Sequence, residues 1–284
     1  MGIKIVTDST AYLSPAVLKK CQISEVSLTV NFGKDSFLEG AVKDYHDFYQ
    51  KLRNSQIFPT TSQPSAGDFL SVYQKLTEDG SSVISIHISG LLSGTVQSAR
   101  TAAGMLEGRD ICVVDSLFTA AALGYMVEEA GEMACSGKSK EEILAKIEYL
   151  KKNTYFLLLV DTLEYLHRGG RIGGAAALFG NLFQIKPILY LKDGAVDVLT
   201  KVRTREKAIR QLVKEAEERM GDSWENARIG VLHVDNPTGA RHLTDLLKER
   251  YPGINPEVGQ VGPVLGSHAG PGATAIVIKK DSPF

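Results

Sequence analysis

The stretch SVISIHISGLLSGTVQSARTAAGML, residues 82–106, carries the pattern that decides the fold. Four of its first eight residues, Val83, Ile84, Ile86 and Ile88, are β-branched and predict a strand over 82–89. The loop GLLSGT then leads into a helix that we expect over 95–106. A strand, a loop and a helix in this order are typical of one step in a parallel α/β sheet.

The same order occurs on both sides of this stretch. IKIV, residues 3–6, predicts a strand that stops at TDST, and SPAVLKKC predicts a helix with Ser14 at its cap and Pro15 in its first turn. VSLTVNF, residues 26–32, predicts one further strand. The remaining predictions for this half are a strand over 111–116 and helices over 44–55, 69–80, 119–135 and 139–153. The alternation indicates a parallel sheet with helices on both faces, a three-layer α/β/α domain.

The second half has a different pattern. Asp193 and Gly194 separate the strand-like segments KPILYLK and AVDVLTKVR, which predicts a β-hairpin. Helices over 204–221 and 238–253 flank a strand over 227–235, and ATAIVIKK predicts a closing strand. Antiparallel strands together with helices indicate an α+β domain with a mixed sheet. We therefore expect two domains, residues 1–160 and 161–284.

The composition is that of an ordinary globular protein. Of the 284 residues, 43% are hydrophobic and 23% are charged, and 32 basic side chains balance 33 acidic ones. A formal net charge of −1 argues against a nucleic-acid-binding protein. The three cysteines form no CxxC pair, and the N-terminus lacks the pattern of a signal peptide, so we expect free thiols and a cytoplasmic location.

The loop SGLLSGT places Ser93, Gly94 and Thr95 where a strand gives way to a helix. The unpaired N–H groups and partial positive charge of a helix start favour an anion, and hydroxyl groups add donors. The alternative is simple N-capping by Ser93 or Thr95, which needs no ligand. A nucleophile elbow is excluded because Leu91 stands where G-x-S-x-G needs glycine.

Three further segments combine polar side chains with glycine or proline. PTTSQPS, residues 59–65, could line a polar pocket or form an ordinary turn. HRGGRIGG, residues 167–174, places Arg168 and Arg171 on a glycine-rich loop that either faces a phosphate or is simply solvated. GSHAGPG, residues 266–272, predicts that His268 lies on a shaped loop just before the last strand.

The histidines do not indicate a metal site. The six histidines show neither HExxH nor any other ligand spacing, so we expect no metal and no cofactor. His87 and His233 each fall within a strand pattern and are expected to be half-buried and hydrogen-bonded.

Taken in order, the motifs IVTDST, TTSQPS, ISGLLSGT, VVDS, HRGGRIGG, KPIL, HVDN and GSHAGPG resemble the DegV family, which includes the fatty acid-binding (FakB-type) subunits of bacterial fatty acid kinase. The resemblance runs from Ile5 to about Lys279. It implies a two-domain protein that encloses one long-chain fatty acid between its domains. VVDSLFTAAALG departs from the family pattern at Leu117 and Phe118, where relatives more often have polar residues.

The resemblance also implies a set of site residues. The carboxylate would be bound by Ser93 with its neighbours Gly94 and Thr95, by Thr61 and Ser62, and by His268. Arg171 and Arg203 would serve the polar mouth of the site or the docking of a kinase. Hydroxyl groups, an imidazole and backbone N–H groups suit a carboxylate that leaves water, because its hydrogen bonds must be replaced.

The function implied is that of a carrier without catalytic activity of its own. A separate ATP-dependent kinase would phosphorylate the bound carboxylate, and the acyl phosphate would pass to an acyltransferase of phospholipid synthesis. Transient contact with a membrane surface is compatible with this role. The competing hypothesis is an enzyme, a serine hydrolase or acyltransferase that uses Ser93 with His268.

Overall fold

The computed structural model describes residues 2–41, 44–180 and 185–281, and of residues 222 and 223 only the backbone. The strands are β1 Ile3–Asp8, β2 Ser24–Val26, β3 Thr29–Phe32, β4 Asp35–Leu38, β5 Thr60–Ser62, β6 Ser82–His87, β7 Ile111–Asp115, β8 Thr154–Leu159, β9 Lys186–Lys192, β10 Ala195–Val202, β11 Ala227–His233, β12 Glu257–Gln260 and β13 Thr274–Lys280. The helices are α1 Pro15–Lys20, α2 His46–Asn54, α3 Ala66–Thr77, α4 Thr95–Gly104, α5 Ala120–Cys135, α6 Lys140–Asn153, α7 Glu164–Arg168, α8 Arg205–Met220, α9 Pro237–Arg250 and α10 Pro263–Ala269. None of the described helices is long and apolar enough to cross a bilayer.

The first compact unit, Met1–Lys43 with Thr61–Lys152, contains the parallel sheet that the sequence predicts. Its strand order is β2-β1-β6-β7, and every pairing is parallel. Val6 and Val83 pack with Phe69 of α3 and Ala99 of α4 in one buried cluster. Helix α5 also packs on β1 and β6. Burial of these apolar side chains stabilises the sheet because it removes them from water.

The strand order creates a crossing point between β1 and β6. From β1 the chain continues to β2 on one side, whereas β6 is followed by β7 on the other side. The carboxyl ends of these two strands therefore diverge into different connections, which is where open α/β sheets bind ligands. TDST begins with the last two residues of β1, and SGLLSGT follows β6 at this edge.

The second compact unit, Asp44–Thr60 with Asn153–Phe284, contains the mixed sheet. Its order is β10-β9-β8-β13-β11-β12, in which β11 and β12 are parallel and the other pairs antiparallel. The hairpin between β9 and β10 is confirmed, since Asp193 and Gly194 both have positive φ angles of 49° and 89°. Helices α8 and α9 contribute buried side chains such as Leu212 and Leu243 to the core of this unit.

The boundaries of the two compact units differ from a single domain boundary at residue 160. The segment Asp44–Thr60 belongs to the second unit, although it precedes β6 in the sequence. Tyr49 of α2 is fully buried, and its hydroxyl group donates to the carbonyl oxygens of Val261 and, at 3.1 Å, Gly262. The side chain of one tyrosine thus ties the segment to residues more than two hundred positions later.

The prediction of one strand over VSLTVNF is wrong. The stretch divides into β2, which pairs with β1, and β3, which lies in a separate three-stranded sheet of order β4-β3-β5. Between them the backbone N–H of Leu28 donates to Ser9 Oγ at 3.1 Å, so the chain leaves the parallel sheet at this point. The turn-rich segment TTSQPS likewise contributes a short strand, β5.

Substitution of Gly124 should test the packing of α5 against the loop after β1. A Cβ atom at Gly124 would lie 2.6 Å from the carbonyl oxygen of Ala11, a contact that only a backbone shift can relieve. We expect Gly124→Ala to lower the free energy of unfolding by about 1–3 kcal/mol in urea titrations followed by circular dichroism.

Gly104→Ala is the matched control. Gly104 ends α4, and a Cβ atom there would meet nothing within 4 Å. Because alanine favours the helix more than glycine does, this variant should be neutral or stabilised by up to about 1 kcal/mol. Equal destabilisation by both substitutions would contradict the close contact at Gly124.

Candidate ligand-binding site

The loop SGLLSGT forms a tight turn between β6 and α4. The carbonyl oxygen of Ser89 accepts hydrogen bonds from the backbone N–H groups of Leu92 at 2.9 Å and Ser93 at 3.0 Å. Ser89 is fully buried, whereas Leu91 at the tip of the loop is 67% exposed. The backbone of Ser93 is therefore held in place by its hydrogen bond to the buried residue Ser89.

Helix α4 begins without a side-chain cap. Its N-cap residue is Gly94, which has no side chain to accept a hydrogen bond from the first turn. Ser93 Oγ and Thr95 Oγ1 share a hydrogen bond of 2.9 Å, and Ser93 Oγ lies 3.4 Å from the backbone nitrogen of Thr95. Two hydroxyl groups thus stand at a helix start whose N–H groups favour an anion.

The segment TTSQPS lies against this helix start. A Cβ atom on Gly94 would lie 2.8 Å from the side-chain nitrogen of Gln63, so glycine allows Gln63 to approach. Ser62 is exposed and accepts a hydrogen bond from Asn31 Nδ2 at 3.3 Å, while Thr61 is half-buried. The structure therefore brings Gln63, which follows Thr61 and Ser62 in the sequence, to Gly94.

Two aspartates hold the loops of this edge together. Asp8 is fully buried, and its carboxylate accepts hydrogen bonds from the backbone N–H groups of Thr10 at 3.1 Å and Ile88 at 2.9 Å. Asp115, at the end of β7, accepts from the N–H groups of Gly90 at 3.1 Å and Leu117 at 2.9 Å. The loop after β6 is thus tied to the loops after β1 and β7.

The prediction that His268 lies on a loop is wrong. His268 lies in the last turn of α10, which begins at Pro263 and ends where Gly270 has a φ angle of 78°. One glycine of this helix has a packing role. Gly266 faces the Tyr49 hydroxyl group, and a Cβ atom at this position would collide with it. The histidine is consequently held by a helix and not by a bend.

The surroundings of His268 keep its imidazole ring neutral. The ring packs against Gly169, where any Cβ atom would collide with Nδ1. Two effects together lower the pKa of His268 from 6.5 to about 4. The larger is burial, and the smaller is the positive charge of Arg171. At neutral pH the ring can donate one hydrogen bond and accept another, but it carries no charge.

The two candidate arginines differ in exposure. Arg171 is half-buried and donates to the carbonyl oxygen of Gly169, so it is not the freely solvated side chain that a glycine-rich loop suggests. Arg203 is exposed just beyond β10. Arg168 ends α7, pairs with Glu164 at 2.9 Å, and lies 4.0 Å from the centre of the Phe58 ring.

Sequence reasoning missed Arg205 and Asn236. Arg205 forms an ion pair with Asp161 and donates to the carbonyl oxygen of Gly272 at 3.1 Å. The side-chain amide of Asn236 donates to the same oxygen at 2.9 Å. The loop that follows α10 is therefore held by two side chains, and their contacts across the fold leave no local pattern in the sequence.

The histidines in strands are more buried than the sequence suggests. His87 is fully buried and His233 is 8% exposed, and each forms hydrogen bonds as expected. In the part of the chain that the structure describes, no group of three or more His, Cys, Asp or Glu side chains is arranged to hold a metal ion.

A parallel sheet with hydroxyl groups and a helix start at its carboxyl edge defines an α/β protein suited to an anionic ligand. Residues 2–281 match the model of a family described as "Uncharacterised protein, DegV family". A DegV domain-containing protein of Halalkalibacterium halodurans is 38% identical over 275 residues, 96% of this chain and 97% of that protein. The chain belongs to the DegV family.

Two solved structures share both the sequence and the fold. A DegV family protein from Thermus thermophilus, described for its fatty acid binding, is 35% identical with a TM-score of 0.91, covering 99% of this chain and 100% of that one. DegV of Bacillus subtilis, described as a fatty acid binding protein, is 33% identical with a TM-score of 0.89 and the same coverage. The two-part α/β fold predicted from the sequence is thereby confirmed.

The pKa of His268 should be measurable by NMR through its ring carbon-bound protons. We expect it near 4, and the variant His268→Gln assigns the signal among the six histidines. Arg171→Gln should raise this pKa, because it removes the positive charge but leaves the burial. A pKa at or above 6.5 in the folded protein would contradict the buried setting of the ring.

The same shift predicts a pH dependence of stability. Between pH 6.5 and about 4, His268 binds a proton in the unfolded chain but stays neutral in the folded protein. The free energy of unfolding therefore decreases as the pH is lowered through this range. His268→Gln should lose less stability than the unsubstituted protein over that range.

Proposed function

We propose that this protein binds one long-chain fatty acid and holds its carboxylate at the start of α4. The observation that carries the proposal is the pair of hydroxyl groups, Ser93 and Thr95, at a helix start whose cap residue is glycine. Relatives with the same fold are described as fatty acid-binding proteins. A carboxylate that replaces water at the partly exposed Ser93 gains charge-assisted hydrogen bonds, and the buried hydroxyl group of Thr95 supports Ser93 through their shared hydrogen bond.

Thr61, with Ser62, extends the same donor set. The contact of Gln63, two residues after Thr61, with Gly94 supports this part of the proposal. We also propose that His268 donates a hydrogen bond to the head group. Since the ring is neutral, it adds a directed hydrogen bond and no full charge.

Most of the affinity comes from the acyl chain in this proposal. A tail of about fifteen methylene groups contributes on the order of 12 kcal/mol of transfer free energy, before the cost of association is deducted. A neutral set of donors then suffices to orient the head group.

The finer proposal is a carrier role in the cytoplasm. The bound carboxylate would be phosphorylated by a separate ATP-dependent kinase, and the acyl phosphate would be used by an acyltransferase of phospholipid synthesis. The supporting feature is that the candidate docking residue Arg203 is exposed, whereas Arg171 is half-buried.

Native mass spectrometry of the protein purified from cells tests the proposed ligand. We expect a fatty acid of intact mass bound without a covalent bond. An acyl group attached to Ser93 would instead favour the serine hydrolase or acyltransferase, and a protein that stays empty after incubation with long-chain fatty acids would contradict the proposal.

Ser93→Ala should weaken fatty acid binding and leave the fold intact. The variant removes one hydrogen bond to a charged group, which is worth roughly 1.5–3 kcal/mol, so the dissociation constant in a lipid-exchange assay should rise about tenfold or more. Ser98→Ala is the control, because Ser98 lies one turn further along α4. This variant should bind fatty acid with the affinity of the unsubstituted protein. An unchanged affinity for Ser93→Ala removes Ser93 from the site.

Fatty acid binding should raise the pKa of His268. A carboxylate close to the ring favours the protonated imidazole, whereas burial by an apolar tail alone lowers the pKa further. The NMR titration is repeated with a saturating fatty acid and with the matching fatty alcohol. A rise with the acid and none with the alcohol supports the proposal, and no rise with the acid excludes His268 from the head group.

Arg203→Glu should impair phosphorylation of the bound fatty acid by the kinase and leave fatty acid affinity unchanged. Reversal of an exposed charge mainly slows association with a complementary partner. Lys248→Glu, also exposed in the second unit, is the control for the change in net charge. Arg171→Glu should reduce phosphorylation too. If either arginine variant loses fatty acid affinity to the same extent as phosphorylation, that residue contacts the ligand instead.

A further inference from the structure

Four polar side chains form a hydrogen-bonded row inside the first unit. The hydroxyl group of Tyr73 donates to Ser85 Oγ at 2.7 Å, Ser85 Oγ lies 2.6 Å from His87 Nε2, and His87 Nδ1 lies 3.1 Å from Asp8 Oδ2. All four side chains are fully buried. The row runs from α3 through β6 to the end of β1.

The donors and acceptors of this row can all be satisfied by neutral groups and one carboxylate. Since the Asp8 carboxylate only accepts, His87 Nδ1 carries a proton and donates it. Ser85 accepts from Tyr73 and can donate its own proton to His87 Nε2. Ser85, His87 and Asp8 resemble a catalytic triad in connectivity, but Ser85 is inaccessible and its oxygen is occupied by Tyr73.

Asp8 is the member of the row that reaches the ligand-binding loops. Its Oδ1 accepts from both the backbone N–H and the hydroxyl group of Thr10, at 3.1 and 2.6 Å. Its Oδ2 accepts from His87 and from the backbone N–H of Ile88 at 2.9 Å. One carboxylate therefore connects the turn after β1 with the first residue of the connection after β6.

The hydrogen bond between Asp8 and Ile88 also influences the position of Ser93, through the backbone. Ile88 precedes Ser89, whose carbonyl oxygen accepts from the N–H groups of Leu92 and Ser93. A displacement of Ile88 thus moves the base of the turn that carries Ser93. A small error in the position of a binding group lowers affinity because the hydrogen bond to the ligand is directional.

We propose that Asp8, oriented by His87, is a positioning residue that holds the start of the SGLLSGT loop for its ligand, while Asp115 holds the loop from the side of β7. This inference rests on the proposed function. In it Ser93 binds the ligand, and Asp8 keeps Ser93 in position without touching the ligand. Tyr73 and Ser85 stabilise the same row from its far end without contacting the loop.

Three variants separate positioning from general stability. Asp8→Ala removes all four hydrogen bonds, Asp8→Asn keeps the shape but loses the charge and one acceptor, and Tyr73→Phe removes only the hydroxyl group at the far end. Amide hydrogen exchange of residues 88–95 and the affinity for a long-chain fatty acid are measured for each, together with the melting temperature.

Asp8→Ala should accelerate exchange at Ile88, Leu92 and Ser93 and weaken fatty acid binding about tenfold or more, with Asp8→Asn intermediate. Tyr73→Phe should lower the melting temperature and leave both other readouts unchanged. If Asp8→Ala does not fold, the comparison of Asp8→Asn with Tyr73→Phe decides the question in the same way.

Unchanged exchange over residues 88–95 in the aspartate variants would overturn the inference, as would equal effects of Tyr73→Phe on exchange and affinity. Failure of the proposed function is a separate result. In that case the unsubstituted protein binds no fatty acid, while the exchange measurements still report whether Asp8 holds the loop.

Discussion

The buried carboxylate of Asp8 is the constraint on which the polar edge of the parallel sheet depends. A charge removed from water must be compensated by hydrogen bonds, and Asp8 obtains them from Thr10, His87 and Ile88. These donors lie at the end of β6 and in the connections that follow β1 and β6, the two strands at the crossing point of the sheet. Satisfying one carboxylate therefore fixes the loops at the place where this fold can bind a ligand.

The rest of the edge follows from that arrangement. With the start of the SGLLSGT turn held, α4 begins at Thr95 after its cap residue Gly94, and the hydroxyl groups of Ser93 and Thr95 lie at its start. Asp115 ties the same loop from the side of β7. The N–H groups of these loops are used in part to satisfy aspartates, and the helix start remains as the place where an anion gains most.

The sequence was sufficient for the features that depend on local pattern. The parallel strands, the hairpin at Asp193–Gly194 and the hydroxyl groups before α4 all follow from periodicity and turn chemistry. The division of VSLTVNF and the helical setting of His268 did not, because they depend on Ser9 and Tyr49, which lie far away in the sequence. A strand or helix that is decided by a distant side chain leaves no periodic pattern of its own.

The same distinction explains which site residues could be found. Ser93 and His268 stand in conspicuous glycine-rich motifs, whereas Arg205 acts through contacts that no motif in the sequence indicates. Asp8 and Asp115 occupy an intermediate position. Their place at strand ends, in TDST and VDS, is visible in the sequence, but their role as acceptors for neighbouring loops requires the strand order.

Under the proposed function, the protonation of His268 affects how the protein would both bind a carboxylate and present it to a partner. A protonated imidazole would form a full ion pair with the head group, and that pair would be strong in a site removed from water. In the protein without a ligand, burial and the charge of Arg171 keep the ring neutral, so a bound carboxylate has to raise the pKa from about 4 past the ambient pH before an ion pair forms. Under the proposed function, the tail then supplies most of the affinity while the head group is oriented by neutral donors, so a carboxylate oxygen can react with a phosphoryl donor without first breaking an ion pair.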